Sequence, residues 1–141
     1  MTNKLANLIM RDPVVCLKPH MKLDKVSDHL SKHHLPGAPV VDDKNTLLGY
    51  VSEYDCLAKL MQSTYYCDNT LCAMDVMSTA EISTEAGISL IDLASKFNQN
   101  KVNVMPVVEG GGANKKVIGV ISRGDVMREL VKDLEECKIP V

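Results

Sequence analysis

Apolar positions along this chain follow two periods. Leu23, Val26 and Leu30 recur every third or fourth residue, as do Leu90, Leu93, Ala94 and Phe97, and that spacing predicts amphipathic helices. After each helix come two short apolar runs rich in Val and Ile, which predict strands. Ala38 to Val41 and Thr46 to Val51 flank the polar turn Asp42-Asp43-Lys44-Asn45, and Val104 to Val108 and Val117 to Ile121 flank a mobile loop around Gly110-Gly111-Gly112. A second helical run follows each pair. Leu57, Leu60 and Met61 share one face, and Val126, Met127, Leu130, Val131 and Leu134 share another. Met61, Met74, Met77 and Met127 are expected as core fillers. Ahead of each first helix, Val14-Val15-Cys16-Leu17 and Ile82-Ser83-Thr84 predict a further short strand.

This order is one unit written twice. With Met10 set over Met77, Leu23 falls on Leu90, and Pro39, Val40 and Val41 fall on Pro106, Val107 and Val108. The second copy has a longer loop, Glu109 to Lys116, past which Gly49 falls on Gly119, Val51 on Ile121, Ser52 on Ser122 and Asp55 on Asp125. Each unit reads β-α-β-β-α and is too small to bury a secure core alone. The expected fold is therefore α/β (α+β), with two repeats packed sheet to sheet around a pseudo-twofold axis. Residues 1–61 form the first repeat, 62–73 a connecting segment, 74–136 the second repeat and 137–141 a tail. Tyr65, Tyr66 and Cys67 lead to the expectation that the connector is partly packed.

Composition narrows the function. The chain has 141 residues, 4% of them aromatic, with no Trp and one Phe, so the core is aliphatic. A net charge of −2 without any basic run disfavours nucleic acid as a partner. No apolar stretch approaches the roughly 20 residues that span a bilayer, and Met1 to Met10 lack a signal peptide's apolar core and cleavage site. The five cysteines, Cys16, Cys56, Cys67, Cys72 and Cys137, are odd in number and scattered, which argues against a secreted disulfide framework. A cytoplasmic, membrane-free protein is expected.

The strongest local signal also occurs twice, as Gly49-Tyr-Val-Ser52-Glu-Tyr-Asp55 and Gly119-Val-Ile-Ser122-Arg-Gly-Asp125. Each copy lies where a strand gives way to a helix. A carboxylate there can accept two hydrogen bonds side by side, which matches a ribose diol. The helix start favours phosphate. Gly37-Ala38-Pro39 and Val104-Met105-Pro106 place apolar surface and backbone groups beside the same strands, where they can sandwich a purine. Ser-x-x-Asp ahead of an apolar run is equally a helix-capping arrangement, and the two roles are compatible.

The duplicated pattern resembles the CBS domain, named after cystathionine β-synthase, in the tandem form called a Bateman module. The resemblance covers about Leu5 to Leu134. It rests on Met10 and Met77, on Pro39-Val-Val-Asp42 and Pro106-Val-Val-Glu109, and on the two Gly-x-x-Ser-x-x-Asp segments. It implies clefts between the repeats that take AMP, ADP or ATP, or alternatively S-adenosylmethionine. It implies that Asp55 and Asp125 hold ribose beside Ser52 and Ser122. It also implies that Val14, Val15 and Cys16, and Glu81, Ile82 and Ser83, flank the adenine. The family often has Thr where this chain has Cys16 and Ser83. Arg123 gives the second motif a cation for phosphate where the first has Glu53, so the Asp125 site is expected to be the better one.

The expected function is a regulatory, non-catalytic module that senses an adenine nucleotide and signals to an effector protein in trans, as a homodimer. A docking or dimerisation module with empty clefts is the alternative. No cofactor and no metal are expected. His29 and His33 are four apart on a helix, but no acidic partner or paired Cys motif completes a zinc site. No nucleophile with a base positioned by sequence is present, and the Gly110 to Gly112 run lacks the Gly-Lys-Ser/Thr of a phosphate loop.

Overall fold

The structure, a computed structural model, describes residues 6, 9–11, 15–79 and 83–137. In chain order its elements are α1 (Leu23–Lys32), β1 (Gly37–Val41), β2 (Leu47–Ser52), α2 (Glu53–Tyr66), α3 (Ala73–Val76), β3 (Thr84–Glu85), α4 (Leu90–Asn100), β4 (Val104–Glu109), β5 (Lys116–Ser122) and α5 (Arg123–Glu136). β1 and β2 form one antiparallel sheet, and β3, β4 and β5 form the other in that order.

The polar turns hold the hairpins. In the first, Asp42 Oδ1 accepts the backbone N–H groups of Lys44 and Thr46 at 2.9 Å each, and Asn45 takes the left-handed conformation (φ 63°) that Asn tolerates. In the second, Gly110 (φ 83°) and Gly112 (φ 61°) supply the positive φ that lets the longer loop turn back through one 3₁₀ turn. Both hairpins carry a register shift at the same place, between Val40 and Val41 and between Val107 and Val108.

The first strand of each repeat is shorter than expected and lies further along the chain. In the second repeat it is the two-residue β3, parallel to β4 with Thr84 opposite Val107. In the first, only Leu17 pairs among the described residues: its N–H donates to the Pro39 carbonyl (2.8 Å) and its carbonyl accepts from the Val41 N–H (2.9 Å).

The stretches that precede the repeats are exchanged. Arg11 and Val120 of β5 bond each other both ways, N–H to O, at 2.7 and 3.0 Å; Ser78 and Tyr50 of β2 do the same at 2.8 Å each. Ala6 donates to the Ile88 carbonyl (3.0 Å) and Ala73 to the Met21 carbonyl (2.9 Å), and both alanines are wholly buried. The segment ahead of repeat one thus completes repeat two, and the segment ahead of repeat two completes repeat one. This reciprocity is the pseudo-twofold relation in hydrogen bonds.

Two apolar cores result. One, around Val26, Leu30, Val40 and Val51, extends into Val104, Val108, Val117 and Val120 of the other sheet, so the two sheets share it. The other lies under α4 and α5, around Leu90, Leu93, Phe97, Met105 and Ile121.

Several side chains expected inside are outside. On α2 only Cys56 is fully buried and Met61 is 67% exposed; on α5 Val126 faces inward while Met127, Val131 and Leu134 face solvent. Met74 is exposed too. The reason is placement: α2 and α5 are outer helices, and an inner stripe suffices to meet the sheets. α2 also continues to Tyr66, past the expected repeat boundary, and its Tyr65 (82% exposed) and Tyr66 stack edge to face on each other and not on the body of the protein. Among the described residues, no helix is long and apolar enough to cross a membrane.

Candidate functional site

Both motif acids head a helix, and the local geometry repeats. Ser52 ends β2 in an extended conformation and accepts the Asp55 N–H through its hydroxyl (3.1 Å), while Asp55 Oδ2 accepts the Ser52 N–H (3.1 Å). Ser122 and Asp125 do the same at 3.1 and 2.9 Å. Each is a full capping box, which satisfies two backbone donors that a bare helix start leaves orphaned. The next donors are also committed: Glu53 N–H goes to the Pro36 carbonyl and Arg123 N–H to the Asn103 carbonyl, at 2.8 Å each. The helix starts therefore offer fewer N–H groups to a phosphate than the bare motif implies.

The strands bring the other expected residues alongside. Gly37 pairs with Ser52, Ala38 with Val51 and Pro39 with Tyr50; Val104 pairs with Ser122, Met105 with Ile121 and Pro106 with Val120. Ala38, Pro39, Val104, Met105 and Pro106 are buried. Val15 and Cys16 are buried ahead of the Leu17 bridge, and Ser83 precedes β3. Val14, Glu81 and Ile82 lie outside the described residues.

Arg123 does not stand against Asp125. It is exposed and lines a groove of about 290 Å³ between α4 and α5, with Phe97, Val126 and Met127. Its counterpart Glu53 lines the equivalent groove of about 320 Å³ between α1 and α2. Neither groove takes in Asp55 or Asp125.

Three residues at the site escaped the sequence reading. Arg11 reaches Asp125 from the other repeat: its Nε donates to Oδ2 (3.3 Å), its Nη2 to Oδ1 (3.2 Å) and its Nη1 to the His33 carbonyl (3.2 Å). Arg128 donates to Asp125 Oδ1 from one turn along α5. Burial pushes the Asp125 carboxyl up, but the hydrogen bonds from the Ser122 N–H and Arg11 outweigh it and hold it below the ordinary carboxylate range. The available signal was an Arg directly after Met10, where Ser78 follows Met77. The third missed residue is Tyr50, whose hydroxyl lies where a side chain on Gly37 would begin. Burial first, then the Asp55 and Glu53 charges, push its phenol above the usual range.

His29 Nε2 lies 3.1 Å from the Val15 carbonyl oxygen, and its ring centroid is 4.6 Å from that of His33. No group of three or more His, Cys, Asp or Glu among the described residues is arranged to hold a metal ion.

Two exchanged β-α-β-β-α repeats, each with an acid at the head of its last helix, define a paired-repeat module. The CBS domain model matches the chain twice, over residues 6–62 and 73–132, and the chain belongs to that family. Among curated proteins it is 28% identical over 137 residues to CBSX2, a chloroplastic CBS domain-containing protein of Arabidopsis thaliana, covering 79% of this chain and 56% of that protein. It is 28% identical over 121 residues to the inosine-5′-monophosphate dehydrogenase of Mycobacterium tuberculosis, covering 85% of this chain and 21% of that enzyme. The chain thus spans about half, or less, of the length of these relatives. Among solved structures, CBSX2 in complex with AMP superposes with a TM-score of 0.75 at 28% identity, over 92% of this chain and 98% of that one. The CBS domain pair of protein MJ0100, in complex with 5′-methylthioadenosine and S-adenosylmethionine, superposes with a TM-score of 0.78 over 94% and 99%. At 20% identity that second likeness speaks for the fold alone.

Proposed function

We propose that this chain is a regulatory ligand-sensing module that takes an adenine nucleotide, AMP, ADP or ATP, between its repeats and passes the occupancy to a partner protein in trans. One observation carries the reading: CBSX2, 28% identical and alike over nearly the whole chain, was solved with AMP. The duplicated acids support it, because each stands at the head of a helix beside a buried strand that includes a proline. Asp55 offers a ribose diol the acceptor it needs, with Tyr50, Gly37 and Pro39 beside it as surface for a purine. The outward apolar stripes of α2 and α5 support a homodimer that buries them. An S-adenosylmethionine-type ligand is the rival within the same site, and a docking module with unused clefts is the rival outside it.

Thermal melting of the full chain with AMP, ADP, ATP and S-adenosylmethionine separates these readings. A ligand at about 100 times its dissociation constant adds about 2.7 kcal/mol of stability. For a chain of this size that is a rise of roughly 5–10 °C. Asp55→Asn keeps an acceptor for the helix cap but removes the charge, and is expected to weaken binding by about 1.5–3 kcal/mol, or roughly 10- to 150-fold. A shift with S-adenosylmethionine alone moves the assignment to that ligand. No shift with any of the four leaves the docking reading.

A further inference from the structure

The two motif acids stand in unequal company. A carboxylate has about four lone-pair directions. At Asp125 all four are taken: Oδ2 accepts from Ser122 N–H and Arg11 Nε, and Oδ1 accepts from Arg11 Nη2 and from Arg128. At Asp55 the box bond from Ser52 occupies Oδ2, and among the described residues neither cation has a counterpart. The repeat alignment puts Ser78 in the place of Arg11 and Ala58 in the place of Arg128.

From this we infer that Arg11 is a latch that closes the Asp125 cleft, so that the first ligand is held on Asp55. The inference rests on the sensing function proposed above, and it reverses the order of the two sites that Arg123 led one to expect. To hold a ribose, Asp125 must give up two donors. Arg128 is exposed (63%) and holds a single oxygen by one contact, so its guanidinium can turn to water when it leaves. Arg11 is different. It grips both carboxylate oxygens at once, the side chains are 34% and 9% exposed, and its third contact, to the His33 carbonyl, fixes it from behind. Two neutral ribose hydroxyls do not replace a charge-assisted fork, and they leave Arg11 without its counter-charge. The latch also ties the segment ahead of repeat one to the helix head of repeat two, so opening that cleft loosens the joint between the repeats.

Titration calorimetry of the full chain with AMP tests this, on wild type, Arg11→Gln, Asp55→Asn, Asp125→Asn and Arg11→Gln/Asp125→Asn. Wild type is expected to bind one equivalent per chain. Asp55→Asn should weaken that binding at least tenfold, and Asp125→Asn should change it less than about threefold. Arg11→Gln should reveal a second equivalent, which disappears again in Arg11→Gln/Asp125→Asn. Arg11→Lys, which keeps the charge without the fork, should leave the second equivalent weaker than Arg11→Gln does, and it serves if Arg11→Gln does not fold. Two equivalents in wild type, an equivalent lost with Asp125 and not with Asp55, or weaker binding in Arg11→Gln would each overturn the latch while leaving the sensing function standing. No heat with AMP, together with no melting shift in the four-ligand panel, would remove the sensing function and the latch with it.

Discussion

A side chain on Gly119 would begin 2.6 Å from the Met10 sulfur and 2.8 Å from the Arg11 carbonyl oxygen, and one on Gly49 would begin 2.8 Å from the Met77 sulfur and 2.7 Å from the Ser78 carbonyl oxygen. The duplicated Met and the duplicated Gly thus meet crosswise, each Met lying on the Gly of the other repeat. Because the nearest backbone atom on each side is a carbonyl in a two-way bridge, the strand cannot simply step aside. Gly119→Ala and Gly49→Ala are each expected to cost about 1–3 kcal/mol, as overpacked sites do, and by similar amounts. Gly111→Ala, with nothing within 4 Å of the added carbon, should cost much less. Melting temperatures of the three variants check this; equal values for all three would contradict it. At this scale the sequence showed which residues matter without showing what they touch. Ser52, Asp55, Ser122 and Asp125 were legible because their role is local, three residues apart across a strand end. Arg11 was not, since its carboxylate partner lies 114 residues away and no periodicity reports such a pair.

The outer helices are where sequence reading and structure part. Periodicity in Leu57, Leu60 and Met61, and in Met127, Leu130, Val131 and Leu134, was sound evidence for a helix and for an apolar face. It said nothing about what covers that face. α2 and α5 each have an inner stripe against a sheet and a second apolar stripe outside, with Tyr54, Leu57 and Met61 on one and Met127, Val131 and Leu134 on the other. Apolar area of that extent on two neighbouring repeats suits association with a second copy. Met61→Glu/Val131→Glu should therefore convert a dimer to a monomer at micromolar concentration without lowering AMP affinity by more than about threefold. Sedimentation velocity on both proteins decides it. A wild-type chain that sediments as a monomer at about 100 µM would exclude self-association as the use of these stripes. The first strands show the complementary error. Val14 to Leu17 reads as a strand because it is apolar, yet among its described residues pairing is seen only at Leu17, where β1 offers the Pro39 carbonyl and the Val41 N–H.

For the molecule as a whole, the alignment of repeats predicts a cut between residues 61 and 74, but the hydrogen bonds draw the units differently. Ala73 and Ser78 belong in space to repeat one, and Ala6, Met10 and Arg11 to repeat two. A fragment of residues 12–79 should accordingly unfold more cooperatively in urea than one of residues 1–66, although their lengths are nearly the same, because only the longer-reaching one has its own partner for the Tyr50 backbone. Identical transitions would mean that the exchanged segments add little. The tandem architecture itself was legible from two rows of matching residues. The exchange was not, since the rows align equally well whether each leading segment stays with its own copy or crosses over.

The crossover also sets a timetable for synthesis. A ribosome makes Arg11 114 residues before Asp125, so Gly119, Val120 and Asp125 are still untranslated when Met10 and Arg11 emerge. Until β5 is made, those residues have nowhere to settle. The first repeat can form its hairpin and helices, but closure waits until α5 has cleared the exit tunnel. Contacts joining such distant parts of a chain slow the final step of folding. A product that stalls before β5 would therefore leave the Arg11 backbone without the strand edge it normally pairs with.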